Sequence, residues 1–433
     1  MLIVFKCKII IDRMKKIVMI AVVLGLLNNQ ISFAQANIDT PKDKKVLFMI
    51  VDGIPVDDLE RVYTPNIDQV SKDGGYTRAY LGGERGGYSE TPTISAVGYN
   101  SLLTGTWANK HNVWGNDITA PNYNYWTIFR FLKEQYPEKK TAIFSTWLDN
   151  RTKLVGTDLK ETGFLKIDFT YDGFELDTIK FPHDNKSDYV LKIDEEVVNK
   201  AAEYVKENGP DLSWVYLQYT DDMGHMYGDS PEMDRGIQLV DRQIGEIYNA
   251  IRYRELVMNE EWLLIITTDH GRDIITGKGH GGQSEREKTT WISTNSKHLN
   301  SHFYANTPAV VDILPSIANF LNIEIPVDQE KELDGVPFIG EVSVSHPIVH
   351  LKGDSLQIEW TPHVRNGNVK VWLAETNNFK SNGTPDEYKL LSEVPAISRK
   401  LIVHFNATKS KIYKVIIEGE NNMINRWVVI PQR

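Results

Sequence analysis

Asp52-Gly53, Asp221-Asp222 and Thr268-Asp269-His270-Gly271 each close a run of apolar residues. Carboxylates delivered together to one edge of a sheet repel one another unless a cation stands among them. Aspartate and histidine are suitable ligands for a divalent ion such as zinc. An aspartate after a strand can equally cap the next helix, a role open to any one of the three. Histidines accompany two of them, which favours ligation for the set. His225 follows Asp221 at i+4, so one helical turn or tight loop aims both at one ion, and Gly224 removes a side chain beside them. His280 follows in the glycine-rich stretch Gly277-Lys-Gly-His-Gly-Gly282. His183, His298, His302, His346, His350, His363 and His404 lack such company and read as surface or β-sandwich residues. A nucleophile is offered by Thr91-Pro-Thr-Ile-Ser-Ala-Val-Gly-Tyr-Asn-Ser-Leu-Leu-Thr-Gly105, where small hydroxyl residues lead into a helix-like apolar run. A hydroxyl at a helix N-terminus sits in a positive field that helps a neighbouring metal hold it as an alkoxide. Simple capping by Thr93 or Ser95 explains the same residues equally well.

Positioning these groups requires buried strands. Val46–Val51 is continuously apolar, as a strand covered on both faces would be, and Leu212–Tyr219 and Trp262–Ile266 are similar, with Thr141–Phe144 weaker. Helical periodicity fits Ile67–Lys72, Thr127–Gln135, Ile193–Glu207 and Met233–Arg252. Strands separated by helices imply an α/β fold, a mostly parallel sheet flanked by helices on both faces, over residues 37–340. Residues 341–433 change character, with short alternating runs at Leu356–Trp360, Val369–Leu373, Leu401–Phe405, Tyr413–Ile417 and Arg426–Ile430. They read as a small all-β sandwich domain, a spacer or a module that docks to glycan or protein. Trp360 and Tyr413 resemble the core tryptophan and corner tyrosine of a fibronectin type III-like module.

Residues 1–36 read as an export signal, with the true start at either Met1 or Met14: a basic Met14-Lys15-Lys16, an apolar Ile17–Leu27 and a small-x-small Ala34-Gln35-Ala36. The apolar run is shorter than the ~20 residues a span needs, so the mature chain is expected to be exported, periplasmic or secreted, without a stable membrane span. The single cysteine, Cys7, lies in this segment, which leaves the mature chain no disulfide or thiolate metal site. The formal net charge is -10, and the first 36 residues carry a basic excess, so the remainder is more acidic still. Such a surface repels phosphate backbones and excludes a long nucleic-acid partner, while a small phosphorylated substrate is admitted where bound cations reverse the local sign.

Four blocks together resemble the alkaline phosphatase superfamily, in its nucleotide pyrophosphatase/phosphodiesterase branch: VLFMIVDGI around Asp52, PTISAVGYNSLLTGTWANKHNVWGN from Pro92, YTDDMGHMYG from Tyr219 and TTDHGRDIITGKGHGG from Thr267. Thr64-Pro-Asn-Ile-Asp68 and Asp312-Ile-Leu-Pro-Ser316 are similar to flanking elements, and the likeness covers about residues 44–340. It implies an alkaline phosphatase-like fold and two divalent ions, with zinc the expected metal. Asp52, Ser95, Asp269 and His270 would form one metal site, and Asp221, His225 and His280 the other, with His302 in reserve for the last position. Ser95 would be the nucleophile, passing through a covalent phospho-serine, where the branch usually carries threonine. With Gly98 three residues after Ser95, the phosphate donor is expected from Asn100 or Asn116.

The implied activity is phosphodiester hydrolysis of the nucleotide pyrophosphatase kind. A phosphomonoesterase on the same site is the alternative, with Arg151 or Arg272 holding the extra phosphate charge as a substrate contact. A sulfatase would need Pro and Arg after the nucleophile, which Ser95-Ala-Val-Gly-Tyr99 lacks. From another class, a non-catalytic surface binding protein would carry a degenerate site, whereas this ligand set is intact. The walls are expected from residues 80–89, 107–125 and 147–188, where Tyr99, Trp114, Tyr123 and Trp147 either stack on a base or sugar or fill the core.

Overall fold

The computed structural model describes residues 42–305, 307–404 and 410–430, together with the isolated Met19. The expected signal segment, with Met14, Cys7 and Ala34-Gln35-Ala36, lies outside the described residues. Among the described residues no helix is long and apolar enough to cross a membrane.

Seven strands form the main sheet: β1 (Asp43–Val51), β2 (Gly75–Tyr80), β3 (Thr141–Ser145), β4 (Phe169–Tyr171), β5 (Leu212–Leu217), β6 (Glu260–Thr267) and β7 (Thr289–Thr294). Their order is β2-β7-β6-β1-β5-β3-β4. β1, β5, β3 and β4 pair in parallel, with Val51 opposite Leu217. β7 pairs antiparallel with both β2 and β6, so the sheet is mixed. Sequence patterning misses β2 and β7 because GYTRAY and TTWIST are rich in polar residues and carry no continuous apolar run.

Strand alternation sends successive side chains to opposite faces and builds two cores. Val46, Phe48 and Ile50 of β1 and Trp214 and Tyr216 of β5 pack on one face against Ala96, Val97 and Tyr99 of the helix Ser95–Thr104. Leu47, Met49 and Val51 pack on the other face with the helices Asp188–Asn208 and Pro231–Val257. The expected helices are present, three of them with longer ends and the fourth starting one residue later at Ile128 behind its cap Thr127; the one starting at Pro231 follows a Ser230 side chain that accepts from Met233 N.

The C-terminal domain holds two antiparallel sheets built from β8 (Val344–Lys352), β9 (Ser355–Pro362), β10 (Asn368–Ala374), β11 (Lys389–Pro395), β12 (Lys400–His404), β13 (Ile412–Glu418) and β14 (Met423–Val429). The orders are β11-β10-β13-β14 and β12-β9-β8. Trp360 and Tyr413 are buried in its core, and the Tyr413 hydroxyl accepts from Ser410 N at 3.0 Å.

Buried side chains join this domain to the rest of the chain. Lys110 Nζ, fully buried, donates to Glu332 O, Asp334 Oδ1 and Asn425 Oδ1 at 2.7, 2.7 and 2.9 Å. Lys414, also fully buried, pairs with Glu332 and with Asp386 Oδ2. Both ammonium groups lie over the Trp427 ring, which stacks on Tyr88. Asn122 and Asn124 donate to the carbonyls of Lys380 and Phe379. Residues on either side of the Ser95 helix in sequence are therefore braced by the sandwich.

Candidate metal centre and nucleophile

β1, β5 and β6 end at the same edge of the sheet, and each hands over to a short turn that carries candidate ligands. Gly53 adopts φ +66°, which turns the chain sharply after Asp52. Gly53 N then donates to Asp269 Oδ1 and Ile54 N to Thr268 Oγ1, each at 3.0 Å, so the first turn is fastened to the third. Thr220 Oγ1 donates to Asp52 O at 2.6 Å, which fastens it to the second. The helix Tyr219–Tyr227 begins two residues after the end of β5, with Gln218 between, and presents Asp221 and His225 one turn apart.

Four atoms converge at the first cluster. His270 Nε2 lies 3.4 Å from Asp52 Oδ1, 3.2 Å from Asp269 Oδ2 and 3.3 Å from Ser95 Oγ. His270 Nδ1 lies 2.9 Å from Gly271 O, and since a carbonyl only accepts, Nδ1 carries the proton and Nε2 presents its lone pair. Burial, together with the nearby His280, holds the His270 pKa well below its ordinary value, so the ring is neutral. Asp52 Oδ1 and Asp269 Oδ2 are buried and hydrogen-bonded to nothing. Burial and mutual repulsion raise Asp52 well above the usual carboxylate range, and burial raises Asp269 to about 7. Two orphaned carboxylate oxygens, a neutral imidazole nitrogen and a hydroxyl make a donor set suited to a divalent cation and poorly suited to remaining without one.

The second cluster adjoins it. His280 Nδ1 donates to Thr93 O at 2.9 Å, which leaves Nε2 free to face His225 Nε2 at 3.1 Å. His225 Nε2 lies 3.3 Å from Asp221 Oδ2. Separations of this size suit three ligands sharing one ion. The His280 and His270 rings stack at 3.7 Å, so the two clusters share a wall. Burial alone would raise Asp221, but its bond to His225 and the charge of Arg272 outweigh burial and hold it below the usual range. Grouped by the proximity of their ligand atoms, Asp52, Asp269 and His270 form one candidate metal site, and Asp221, His270 and His280 another.

Ser95 is the first residue of its helix and is nearly buried. Neither candidate cap performs that role: Ile94 occupies the cap position without a side-chain bond, and Thr93 Oγ1 instead joins Gly282 O and Gly281 N at 2.9 Å each. Thr93 thus holds the His280 loop through its hydroxyl and its carbonyl. Asn116 Oδ1 accepts from Ala96 N at 3.0 Å, which places its amide at the N-terminus of the Ser95 helix. Asn100 sits about 140° around the helix from Ser95 and is buried, so it does not reach the same side.

Several expected contacts lie elsewhere. Arg272 is buried rather than facing substrate, with Nη2 on Asp221 Oδ1 at 2.5 Å. Arg151 is bound through two nitrogens to Asp172. His302 pairs with Asp312 at 2.8 Å near His346 and His363, outside both clusters. Tyr99 is fully buried and is not a wall of the pocket: its hydroxyl bonds Asp52 Oδ2, and Tyr216 OH donates to the same oxygen at 2.7 Å. This tyrosine pair is the part of the site that sequence reasoning missed. Its signals were present, Tyr99 one helical turn after Ser95 and Tyr216 on the Phe48 face of β5, but they equally describe core residues.

Residues 46–326 match the type I phosphodiesterase/nucleotide pyrophosphatase family. The chain belongs to that family. It is 26% identical over 243 residues to human ectonucleotide pyrophosphatase/phosphodiesterase family member 7, covering 52% of this chain and 47% of that protein. It is 26% identical over 137 residues to the 2,3-bisphosphoglycerate-independent phosphoglycerate mutase of Mycoplasma mycoides, covering 32% of this chain and 25% of that protein. The chain thus spans half or less of the length of these relatives. Among solved structures, a Bacteroides thetaiotaomicron protein provisionally described as a sulfatase aligns with a TM-score of 0.50 at 11% identity, over 81% of this chain and 86% of that one. That likeness concerns the fold. The phosphodiesterase family match agrees with the resemblance carried by the four sequence blocks.

Proposed function

We propose that the chain is a metal-dependent phosphodiesterase that acts on small nucleotide-like diesters through Ser95. The observation that carries this reading is the convergence of Ser95 Oγ, His270 Nε2 and two unpartnered carboxylate oxygens within 3.2–3.4 Å of the imidazole nitrogen. Asp52, Asp269, His270 and Ser95 would hold one divalent ion, and Asp221, His225 and His280 a second, zinc being favoured by the nitrogen and oxygen donors. When bound, such ions lower the pKa of a coordinated hydroxyl or water and neutralise charge on a phosphoryl group.

Within that frame Ser95 Oγ gives up its proton to solvent and attacks phosphorus, and the Oγ–P bond forms as the opposite ester P–O bond breaks. The departing oxygen takes a proton from solvent. Water then attacks the phospho-serine, the Oγ–P bond breaks, and Ser95 recovers its proton. His270 acts as a ligand rather than a base, because its Nε2 lone pair would be taken up by the ion and burial holds its pKa well below the ordinary value. The Asn116 amide stands at the helix N-terminus where phosphoryl oxygens would lie and serves as donor.

A diester is favoured over a monoester because the two arginines available for an extra phosphate charge are engaged by Asp172 and Asp221. The basic and apolar N-terminal stretch, with the acidic remainder, supports an exported enzyme. The test is hydrolysis of bis(nitrophenyl) phosphate against nitrophenyl phosphate, with zinc and with chelator. Faster diester cleavage, abolished by chelation, is expected. Faster monoester cleavage would transfer the assignment to a phosphomonoesterase, and no metal-dependent turnover of either would leave the binding-protein reading.

A further inference from the structure

Arg272 follows the Asp269-His270-Gly271 turn and is 1% exposed. Burying a guanidinium is costly unless its donors are satisfied, and here four bonds satisfy them. Nε donates to Gly53 O at 3.0 Å, Nη1 to Lys278 O at 3.1 Å, and Nη2 to Asp221 O and Oδ1 at 2.8 and 2.5 Å. Its partners come from three different segments: the turn after Asp52, the helix carrying Asp221 and His225, and the loop leading to His280. Arg272 itself extends the fourth segment, which carries Asp269 and His270. One side chain therefore ties together every ligand-bearing strand end.

Two glycines make room for it. A Cβ on Gly53 would stand 2.5 Å from Nη2 and 2.7 Å from Asp221 Oδ1, and a Cβ on Gly224 would overlap Cζ and Nε. The bond to Oδ1 has a second effect. It commits one carboxylate oxygen of Asp221 to the protein, while Oδ2 is the oxygen beside His225 Nε2.

We propose that Arg272 is a positioning residue for the second metal site, fixing Asp221 as a one-oxygen ligand and setting the His280 loop at the spacing that ligand requires. This rests on the two-ion reading above. The bidentate fork, and not the charge alone, does this, since a point-charge ammonium cannot reach three carbonyls and a carboxylate in one plane.

The experiment counts bound zinc per chain by elemental analysis after dialysis, and measures affinity by competition with a chromophoric chelator. It compares the unmodified protein with Arg272→Met, Arg272→Lys and Gly224→Ala, near-UV circular dichroism reporting the fold. The unmodified protein is expected to hold two equivalents; fewer would defeat the two-ion reading itself. Each variant is expected to keep about one equivalent and to bind the second about 10- to 100-fold more weakly, the usual cost of losing a group that orients a ligand. An Arg272→Met protein that binds the second ion within threefold of the original, or more tightly, overturns the proposal. Tighter binding would show the arginine to be only a competing charge. Full recovery in Arg272→Lys would also overturn it, and that variant with Gly224→Ala decides the matter should Arg272→Met fail to fold.

Discussion

Replacing Tyr216 by phenylalanine removes one oxygen atom and one bond to Asp52, a proposed ligand of the first metal site. The Tyr216 hydroxyl donates to Asp52 Oδ2 at 2.7 Å in a place sealed from solvent, with Tyr99 as the other donor. A hydrogen bond to a charged group contributes about 1.5–3 kcal/mol, and each 1.36 kcal/mol is a factor of about ten. Zinc affinity at the site should fall about 10- to 100-fold, the same range reached independently from losses of groups that orient a metal ligand. The pH dependence has a definite sign. Burial and the repulsion of Asp269 and Asp221 already raise Asp52, and the two tyrosine bonds oppose that rise. Losing one raises it further, so protons compete better with zinc and the affinity gap between variant and parent widens as pH falls. Competitive zinc titrations at several pH values measure this, with the site formed by Asp221, His225 and His280 as an internal control. A first-site affinity within threefold of the parent at every pH would refute the reasoning.

Ser95→Ala should retain both zinc equivalents by elemental analysis and lose turnover by roughly 10³-fold or more, since the remaining groups only bind and orient; undiminished activity would remove Ser95 as nucleophile. Asn116→Ala should lower kcat about 10²- to 10³-fold with little change in KM, as loss of a transition-state donor does. Lys110→Ala leaves Asp334 and Asn425 facing a cavity and should cost about 3–5 kcal/mol in denaturant unfolding. Asp194, buried and bonded to Thr146 Oγ1, Gln218 N and Tyr219 N, is raised by burial to about 7. An acid whose folded pKa is raised loses stability as pH climbs from its unfolded value near 4 towards 7. Asp194→Asn should therefore gain about 2–3 kcal/mol relative to the parent between pH 5 and 7.5, read from urea unfolding.

The clusters were legible in the sequence because an aspartate after six apolar residues is a sharp local contrast, and β1, β5 and β6 each end with one nearby. The parallel half of the sheet was legible for the same reason. β2 and β7 were not, since a strand rich in threonine and tyrosine carries no continuous apolar signal. In the C-terminal domain β8 escaped notice as well: His346 takes a positive φ there, and the pairing shifts register between Ser345 and Ile348. The inward turn of Arg272 depends on space left by Gly53 and Gly224, residues far apart in sequence, and no local pattern encodes that. Tyr99 and Tyr216 fit apolar patterns so well that nothing local in the sequence marks their hydroxyls, which touch Asp52.

The lysines at the junction of the two domains bear on how this protein could be recombined. A β-module joined by a loose linker can be exchanged between enzymes with little adjustment. Here Lys110 on one side and Lys414 on the other reach into a shared set of acceptors, Glu332, Asp334, Asp386 and Asn425. A transplanted sandwich would keep the Lys414–Asp386 pair but lose Glu332 and Lys110 as partners, and a catalytic domain deprived of its own would leave Glu332 without its lysine. The two halves are thus bound to change together, and a viable chimaera must carry both lysines and all four acceptors across the cut.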